Sequence, residues 1–456
     1  MNRTTNLLVA TGLATALVAA ACGDGAEFTV GDQPDIEIPI VSVTDVAADR
    51  DVLNSVSDDT VSLPDGWFEM AGYGTVLHVD GDEITPHHVT TSTCVTGESV
   101  DNELAVDQAH DDGVITVDLV GPTTDYRLLP LAGALTCDSD ADDTLVALDE
   151  LFRTHYPFLE QRDFDWQAAF ADIEAAVAAD PGAFEAALAK NLTELRDGHT
   201  TLDDLELDPD LSAFGLAGGA TVDDLKTAVG HEFDRTLAGV DDIVADETGS
   251  VAWGRLDDDT GYLIMVAFEG IGGRDDDPVA DRDALRAALD AAITDLADVE
   301  HLVIDMRFNA GGYEDLAATA TGYFVDEETP AYRKWAHAQP DAFVQTVVVE
   351  PQGAFFDGMV AVVTSPITAS AAEAFTLAMV EVADAAVVGV PSFGEFSDAI
   401  DWLLPNGTEL TLSMENYSDL AGTNHEATGI PVDVPAPFDQ AIEAAIGHFD
   451  ATDTGE

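Results

Sequence analysis

The chain has 456 residues, of which 46% are apolar, and it carries 89 acidic side chains against 16 basic ones, a net charge of −73. The length allows two or three domains and the apolar fraction is sufficient for packed cores, so general disorder is excluded. A surface this negative repels phosphate backbones and anionic lipid head groups, which excludes nucleic acid as a partner. The charge indicates adaptation to a saline medium or, equally well, an acidic lineage without salt dependence.

Residues 1–22 are predicted to be a targeting segment. Arg3 supplies a short positive region, an apolar stretch follows from Leu7 to Val18, and three alanines precede Cys22. The segment resembles a bacterial lipoprotein signal, in which Cys22 is acylated and becomes the mature N-terminus; ordinary secretory cleavage is the alternative. We therefore expect an exported protein of the bacterial cell envelope that meets the membrane through its lipid alone, or else a secreted one.

The remaining cysteines, Cys94 and Cys137, form one even pair once Cys22 is acylated. In an exported protein such a pair is expected to form a disulfide; two buried thiols are the alternative. Between the signal and this pair, residues 23–48 contain Asp, Pro and Gly without hydrophobic periodicity, which is typical of a flexible tether.

Residues 49–140 are predicted to form a small β-domain. The run Gly74–Val79 is followed by Asp80-Gly81-Asp82, which is a hairpin signal. The adjacent His87 and His88 would point to opposite faces of a strand, so we interpret them as exposed surface residues and not as a metal pair. Nothing in this domain indicates chemistry.

Residues 141–209 are predicted to be a helical lead-in domain. Phe184, Leu188, Leu192 and Leu195 recur at helical spacing, and Gly198 is expected just beyond the end of that helix. His199 follows at once, at the start of a loop.

Residues 210–456 show strands and helices in alternation, which is typical of an α/β layered core. Strands are expected near 261–268, 302 and 359, helices at 281–296, after Gly312 and after Ser370, a hairpin around Pro405-Asn406-Gly407, and a last helix at about 438–448.

Two strand-turn-helix junctions in this core indicate acyl-transfer chemistry. One ends in Gly311-Gly312, and the other delivers Ser370 to a helix start, where backbone N–H groups can face a reacting carbonyl. A serine needs a base, and no lysine follows Lys334, so a histidine is required. His199 has the most suggestive setting and His425 is the other candidate. Taken alone, Ser370 and Glu373 could also be only a helix capping box.

Four segments of the chain resemble motifs of the tail-specific (C-terminal-processing) serine peptidase family, and they occur in the family's order. Residues 303–312, 362–373 and 426–433 resemble its three core motifs, and residues 197–200, with Tyr156-Pro157-Phe158 upstream, resemble the helical lead-in of a branch related to the tricorn core. The resemblance spans about residues 145–440. It implies a crotonase/ClpP-like spiral of strands and helices as the catalytic core.

The resemblance also implies roles for individual residues. Ser370 matches the nucleophile, His199 the base, and Glu426 the carboxylate that orients this histidine; the oxyanion site would comprise Gly311, Gly312 and Ala371. The lysine segment of Ser-Lys relatives reads Phe393-Gly394-Glu395-Phe396 here, which rules out that dyad. Some relatives place a serine before the histidine as a fourth member, where this chain has Gly198, and no PDZ-type module fits between residues 200 and 251.

The sequence thus predicts an exported serine peptidase that hydrolyses peptide or protein substrates through a Ser-His-Glu arrangement, without a metal or organic cofactor. The alternative is a catalytically silent binding protein for a peptide or hydrophobic ligand on the same scaffold. A third possibility is an envelope assembly factor in which hydrolysis is secondary.

Overall fold

The fold is described from a computed structural model, which covers residues 62–102, 106–109, 114–118, 121–202, 214, 221–273, 277–339 and 343–454. The predicted signal segment with Cys22 and the predicted tether lie outside the described residues. No helix in these ranges has the length and apolar character needed to cross a membrane.

The N-terminal part is one antiparallel sheet of eight strands, in the order β4-β3-β2-β1-β8-β7-β6 with β5 paired to β3. The predicted hairpin is confirmed, since Asp80 pairs with Glu83 across a two-residue turn. Cys94 and Cys137 are joined by a disulfide that ties β4 to the segment after β8. The strands are β1 (Gly66–Met70), β2 (Thr75–Asp80), β3 (Glu83–Val89), β4 (Cys94–Thr96), β5 (Val100–Asp101), β6 (Val106–Ala109), β7 (Ile115–Asp118) and β8 (Asp125–Pro130).

Three helices follow: α1 (Thr144–His155), α2 (Trp166–Ala179) and α3 (Phe184–Leu195). Short 3-10 turns at Ala141–Asp143 and Pro181–Ala183 lead into the first and the third. Their apolar faces share one hydrophobic cluster with the β-domain and with the hairpin residues Trp402 and Leu410, so three parts of the chain bury a common core.

The α/β core is built on a seven-stranded sheet in the order β20-β16-β15-β12-β11-β10-β9. The five strands from β20 to β11 run parallel, and β10 and β9 are antiparallel. The strands are β9 (Asp241–Ala245), β10 (Val251–Arg255), β11 (Thr260–Met265), β12 (His301–Asp305), β15 (Met359–Thr364), β16 (Ala386–Gly389) and β20 (Val434–Pro435).

Helices cover both faces of this sheet, as a mostly parallel sheet requires. Leu302 and Ile304 of β12 face the cluster that contains residues of α5, α6 and α7, whereas Val303 faces the cluster that contains residues of α4 and α8. These helices are α4 (Val222–Leu237), α5 (Pro278–Asp295), α6 (Glu314–Thr321), α7 (Ala371–Ala383) and α8 (Ala441–Thr454), with 3-10 turns at Gly322–Phe324 and Phe438–Gln440.

Two smaller sheets complete the core. The three-stranded one has the order β14-β13-β19, and the predicted hairpin around Asn406 is β17 paired with β18. Their bounds are β13 (Thr329–Ala336), β14 (Gln345–Val349), β17 (Ala399–Leu403), β18 (Glu409–Ser413) and β19 (Glu415–Ser418).

Two local predictions are wrong. His87 and His88 are not exposed: His87 is 7% exposed and stacks on Trp67, and His88 is half-buried and packs beside Trp402 of the core hairpin. Helix α3 ends earlier than expected, because Arg196 and not Gly198 takes the left-handed conformation after it, with φ 59°.

Candidate active site

Ser370 stands at a strained corner between β15 and α7. Its φ of 54° and ψ of −125° lie outside the regions that a serine favours, and such a residue costs about 1–3 kcal/mol. The corner is held by local bonds: the Ser370 N–H donates to Glu373 at 3.2 Å, and the Ala369 N–H donates to the Asn309 carbonyl at 3.3 Å. The strained turn presents the hydroxyl of Ser370 away from the helix, toward His199.

His199 reaches this hydroxyl from the segment after α3. Its Nε2 lies 3.1 Å from the Ser370 Oγ. Burial lowers the pKa of His199 below its usual range, although Asp197 and Asp398 act in the opposite direction. A neutral imidazole with Nε2 on the serine hydroxyl is the arrangement required to remove its proton.

Asp197 fixes the backbone of the segment that carries His199. Its carboxylate accepts bonds from the His199 N–H at 3.0 Å, the Tyr156 hydroxyl at 2.8 Å and the Thr200 hydroxyl at 2.9 Å. Burial would raise the pKa of Asp197, but Arg162, His199 and these donors hold it below its ordinary value. Asp197 is therefore an ionised anchor of the loop.

The two glycines do different things. The Gly311 N–H donates to the Asn309 side chain at 2.8 Å, so it is not available to an oxyanion. A Cβ at Gly311 would lie 2.8 Å from the Cβ of Ser370, so only glycine fits beside the serine. Within the described parts of the chain, the N–H groups of Gly312 and Ala371 have no acceptor, which leaves these two for an oxyanion.

Glu426 does not contact His199, which corrects the predicted Ser-His-Glu geometry. Its side chain is paired with the guanidinium of Arg162, and its other oxygen accepts the Phe396 N–H at 2.6 Å. Gly198, the residue before the histidine, has no hydroxyl that could bridge Glu426 and His199. The Nδ1 of His199 is buried and has no hydrogen-bond partner within the described residues.

His425, the other candidate base, faces elsewhere. Its Nε2 lies 3.7 Å from Asp419, and its ring packs beside Phe396. Among the described residues, two clusters have the spacing of metal ligands, and neither includes a residue of the serine site: His87 with Cys94 and Cys137, and Glu300 with His301 and Asp453.

Comparison with known proteins identifies this core. A sequence model of peptidase family S41 matches residues 259–436. The match assigns this part of the chain, the α/β core, to peptidase family S41. The resemblance to the tail-specific serine peptidases is thereby confirmed, and the protein is a serine-type peptidase, a hydrolase. The matched S41 segment contains Ser370, both glycines and Glu426, whereas His199 precedes it.

One solved structure shows a similar fold over most of both chains, and two others resemble it more distantly. A candidate peptidase from Parabacteroides merdae is similar over 68% of this chain and 97% of its own length, with 20% identity and a TM-score of 0.53. Mature CPAF complexed with lactacystin is similar over 67% of this chain and 95% of its own length, with 11% identity and a TM-score of 0.48. The photosystem II D1 C-terminal processing protease is similar over 64% of this chain and 92% of its own length, with 15% identity and a TM-score of 0.40. The predicted α/β core with its helical and β-sheet additions is confirmed.

Two buried carboxyls of this site, Glu373 and Glu395, were not predicted to belong to it. Glu373 accepts N–H bonds from Gly394 and Glu395 as well as from Ser370, and Glu395 accepts the Gly198 N–H at 2.6 Å. Burial raises the pKa of Glu373 to about 7 and that of Glu395 well above its usual range. Together they join the serine corner to the histidine loop. A capping signal marked Glu373, but nothing local marked Glu395.

Proposed function

We propose that this protein is an exported serine peptidase in which Ser370 is the nucleophile and His199 the general base. The observation that carries the proposal is the 3.1 Å separation between the Ser370 Oγ and the His199 Nε2. The strained backbone at Ser370 and the open N–H groups of Gly312 and Ala371 support it independently.

The reaction follows from these positions. His199 takes the hydroxyl proton as the Ser370 oxygen bonds to the substrate carbonyl carbon, and the N–H groups of Gly312 and Ala371 stabilise the negative oxygen. The imidazolium then gives its proton to the leaving amine as the C–N bond breaks, which leaves an acyl-enzyme. Water, deprotonated by the same histidine, releases the acid. One oxyanion donor is worth about 3 kcal/mol in such chemistry.

Export and lipid anchoring remain part of the proposal. They are supported by the basic start, the apolar stretch and Cys22 at the end of the signal segment. Replacement of Cys22 by alanine in the expressing cell should prevent incorporation of labelled fatty acid and release the protein from the membrane fraction. Retention of both in the variant would contradict the anchor.

Labelling by a fluorophosphonate probe tests the catalytic assignment. The probe should modify Ser370, identified by peptide mass mapping, and Ser370→Ala should abolish the modification. His199→Ala should slow labelling strongly, whereas His425→Ala should not. Equal labelling of wild type and His199→Ala would show that the base is another group. Absence of labelling in the wild type would favour the silent binding protein.

A further inference from the structure

The Nδ1 atom of His199 lacks a hydrogen-bond acceptor among the described residues. To accept a proton at Nε2, His199 must carry its own hydrogen at Nδ1, and a buried N–H without an acceptor is unfavourable because it has lost its hydrogen bond to water. The Nδ1 of His199 is such an atom within the described residues. Neither Glu426, which Arg162 holds, nor Asp197, whose oxygens face four other donors, supplies the acceptor.

The chain segment that contains Asp398 lies beside the residues on either side of His199. Glu395 contacts the N–H of Gly198, the residue before His199. On the other side, the Ser413 N–H donates to Thr200, the residue after His199, at 3.0 Å. The next residue, Met414, donates its N–H to the Asp398 carbonyl at 3.2 Å. Residues 395–398 and the end of β18 therefore flank the histidine.

Asp398 has an unused oxygen. Its Oδ2 accepts from Lys334 at 3.1 Å and from Thr124 at 2.8 Å, while its Oδ1 has no partner in the described part of the chain. The side chain is 21% exposed, so it can turn and water can reach it. Its charge acts on the imidazole in the direction that stabilises the protonated form.

We propose that Asp398, and not Glu426, is the positioning residue that receives the Nδ1–H of His199, by a turn of its side chain or through one water. The inference rests on the proposed function and deepens it. Some relatives carry a serine before the histidine, where this chain has Gly198. Here the carboxylate of Asp398, from another loop, orients the base instead.

The N-terminal β-domain takes part in this arrangement. Lys334, 1% exposed, is held by Glu314 at 2.7 Å and Tyr417 at 3.0 Å as well as by Asp398. Thr124, beside the start of β8, donates to Asp398 from the β-domain side. The lysine and the threonine bind Oδ2, which leaves Oδ1 as the oxygen that a turn of the side chain or a water can bring to the base.

The test compares Asp398→Asn with the wild type. Asparagine can still accept from Lys334 and Thr124 through its oxygen, so the variant should fold. It should lower kcat by about tenfold or more with little change in KM, as expected for loss of an interaction made in the transition state. Loss of the negative charge should also move the acid limb of fluorophosphonate labelling to lower pH.

Controls make the outcomes decisive. Asp384→Asn makes the same replacement at an exposed position after α7 and should change neither quantity. The pH midpoint of labelling does not depend on the folded fraction, so it remains informative if a variant is partly unfolded; Asp398→Ser provides a second variant. An unchanged midpoint and an unchanged kcat in Asp398→Asn would overturn the inference. Absence of labelling in the wild type would instead overturn the peptidase proposal, and this inference with it.

Discussion

The Nε2 of His199 lies 3.1 Å from the Oγ of Ser370, although 171 residues separate them in the chain. The contact joins the segment after the helical lead-in to the serine corner of the α/β core. Because burial lowers the pKa of this histidine, the base is neutral at neutral pH and remains so somewhat below it.

The first prediction concerns the pH dependence of activity. The free enzyme works when His199 is neutral, so kcat/KM should fall as pH falls through the lowered pKa of His199. We expect the midpoint of this acid limb below about 6.5, the ordinary histidine value. The measurement is kcat/KM against pH with a peptide substrate that has no ionisable group in this range. A midpoint at or above the ordinary value would contradict the buried, neutral base.

The second prediction concerns Gly312→Ala. The new Cβ would lie 2.5 Å from the Phe268 carbonyl and φ is +125°, so the turn must shift and its N–H must move. We expect kcat to fall by about a hundredfold, as for loss of an oxyanion donor. Gly407→Ala is the matched control, since φ is +88° there but the space is open. A folded Gly312→Ala protein with nearly full activity would remove Gly312 from the oxyanion site.

The third prediction concerns the buried pair of Arg162 and Glu426, whose side chains are 5% and 1% exposed. Arg162→Met should cost about 3–5 kcal/mol in the free energy of unfolding, because it leaves a buried carboxylate without its partner. The double variant Arg162→Met with Glu426→Gln should lose less stability than Arg162→Met alone. Urea unfolding of the wild type, the two single variants and the double variant gives the coupling free energy. Additive losses of stability would show that the two side chains are not coupled. Lys190→Met, which removes an exposed pair with Asp172, should have a small effect.

The fourth prediction concerns stability in acid. Burial lowers the pKa of His88 to about 4, so the unfolded chain takes up a proton between about pH 6.5 and 4 that the folded protein does not. Stability from this group is therefore complete above pH 6.5 and lost as pH falls. The difference in unfolding free energy between wild type and His88→Gln should change by about 1.4 kcal/mol per pH unit in this window. A constant difference would show that His88 is accessible; exposed His231→Gln is the control.

The fifth prediction concerns the contribution of the β-domain to catalysis. Thr124→Val keeps the shape of the side chain but removes the hydroxyl that binds Asp398 at 2.8 Å and Glu415 at 3.1 Å. We expect kcat to fall several-fold with KM little changed, and Thr124→Ser to retain the wild-type value. The measurement is kcat and KM from steady-state kinetics of the wild type, Thr124→Val and Thr124→Ser. Equal kcat values would mean that the β-domain supports the fold only.

The local features of the core could be read from the sequence, because each is encoded within a few residues. The strand before Ser370, the glycine turn before α6 and the hairpin at Asn406 depend on short patterns of apolar and turn residues. The fold class followed from their alternation and from the family resemblance. The exclusion of lysine bases pointed to a histidine, and the position of His199 after a helix together with the family resemblance favoured it over His425.

The errors lie where one part of the chain packs against another. Glu426 was predicted to orient His199, but its actual partner, Arg162, lies in the irregular segment between α1 and α2, where no local pattern indicates a role. His88 appeared to be a surface residue because the strand pattern does not show that the core hairpin covers it. Buried polar contacts between distant segments leave no periodic signal, so Asp398 and Lys334 could not be found either.

The bond from Glu426 to the N–H of Phe396 has a consequence for the order in which the protein becomes active. Ribosomes make the histidine segment first, the serine corner next and Glu426 last of the three. Until Glu426 is present, Arg162 lacks the carboxylate that it contacts directly, and the N–H of Phe396, in the loop that runs on to Asp398, lacks its acceptor. The emerging polypeptide therefore cannot complete this arrangement until Glu426 has been made, even though the serine and the histidine are already in place.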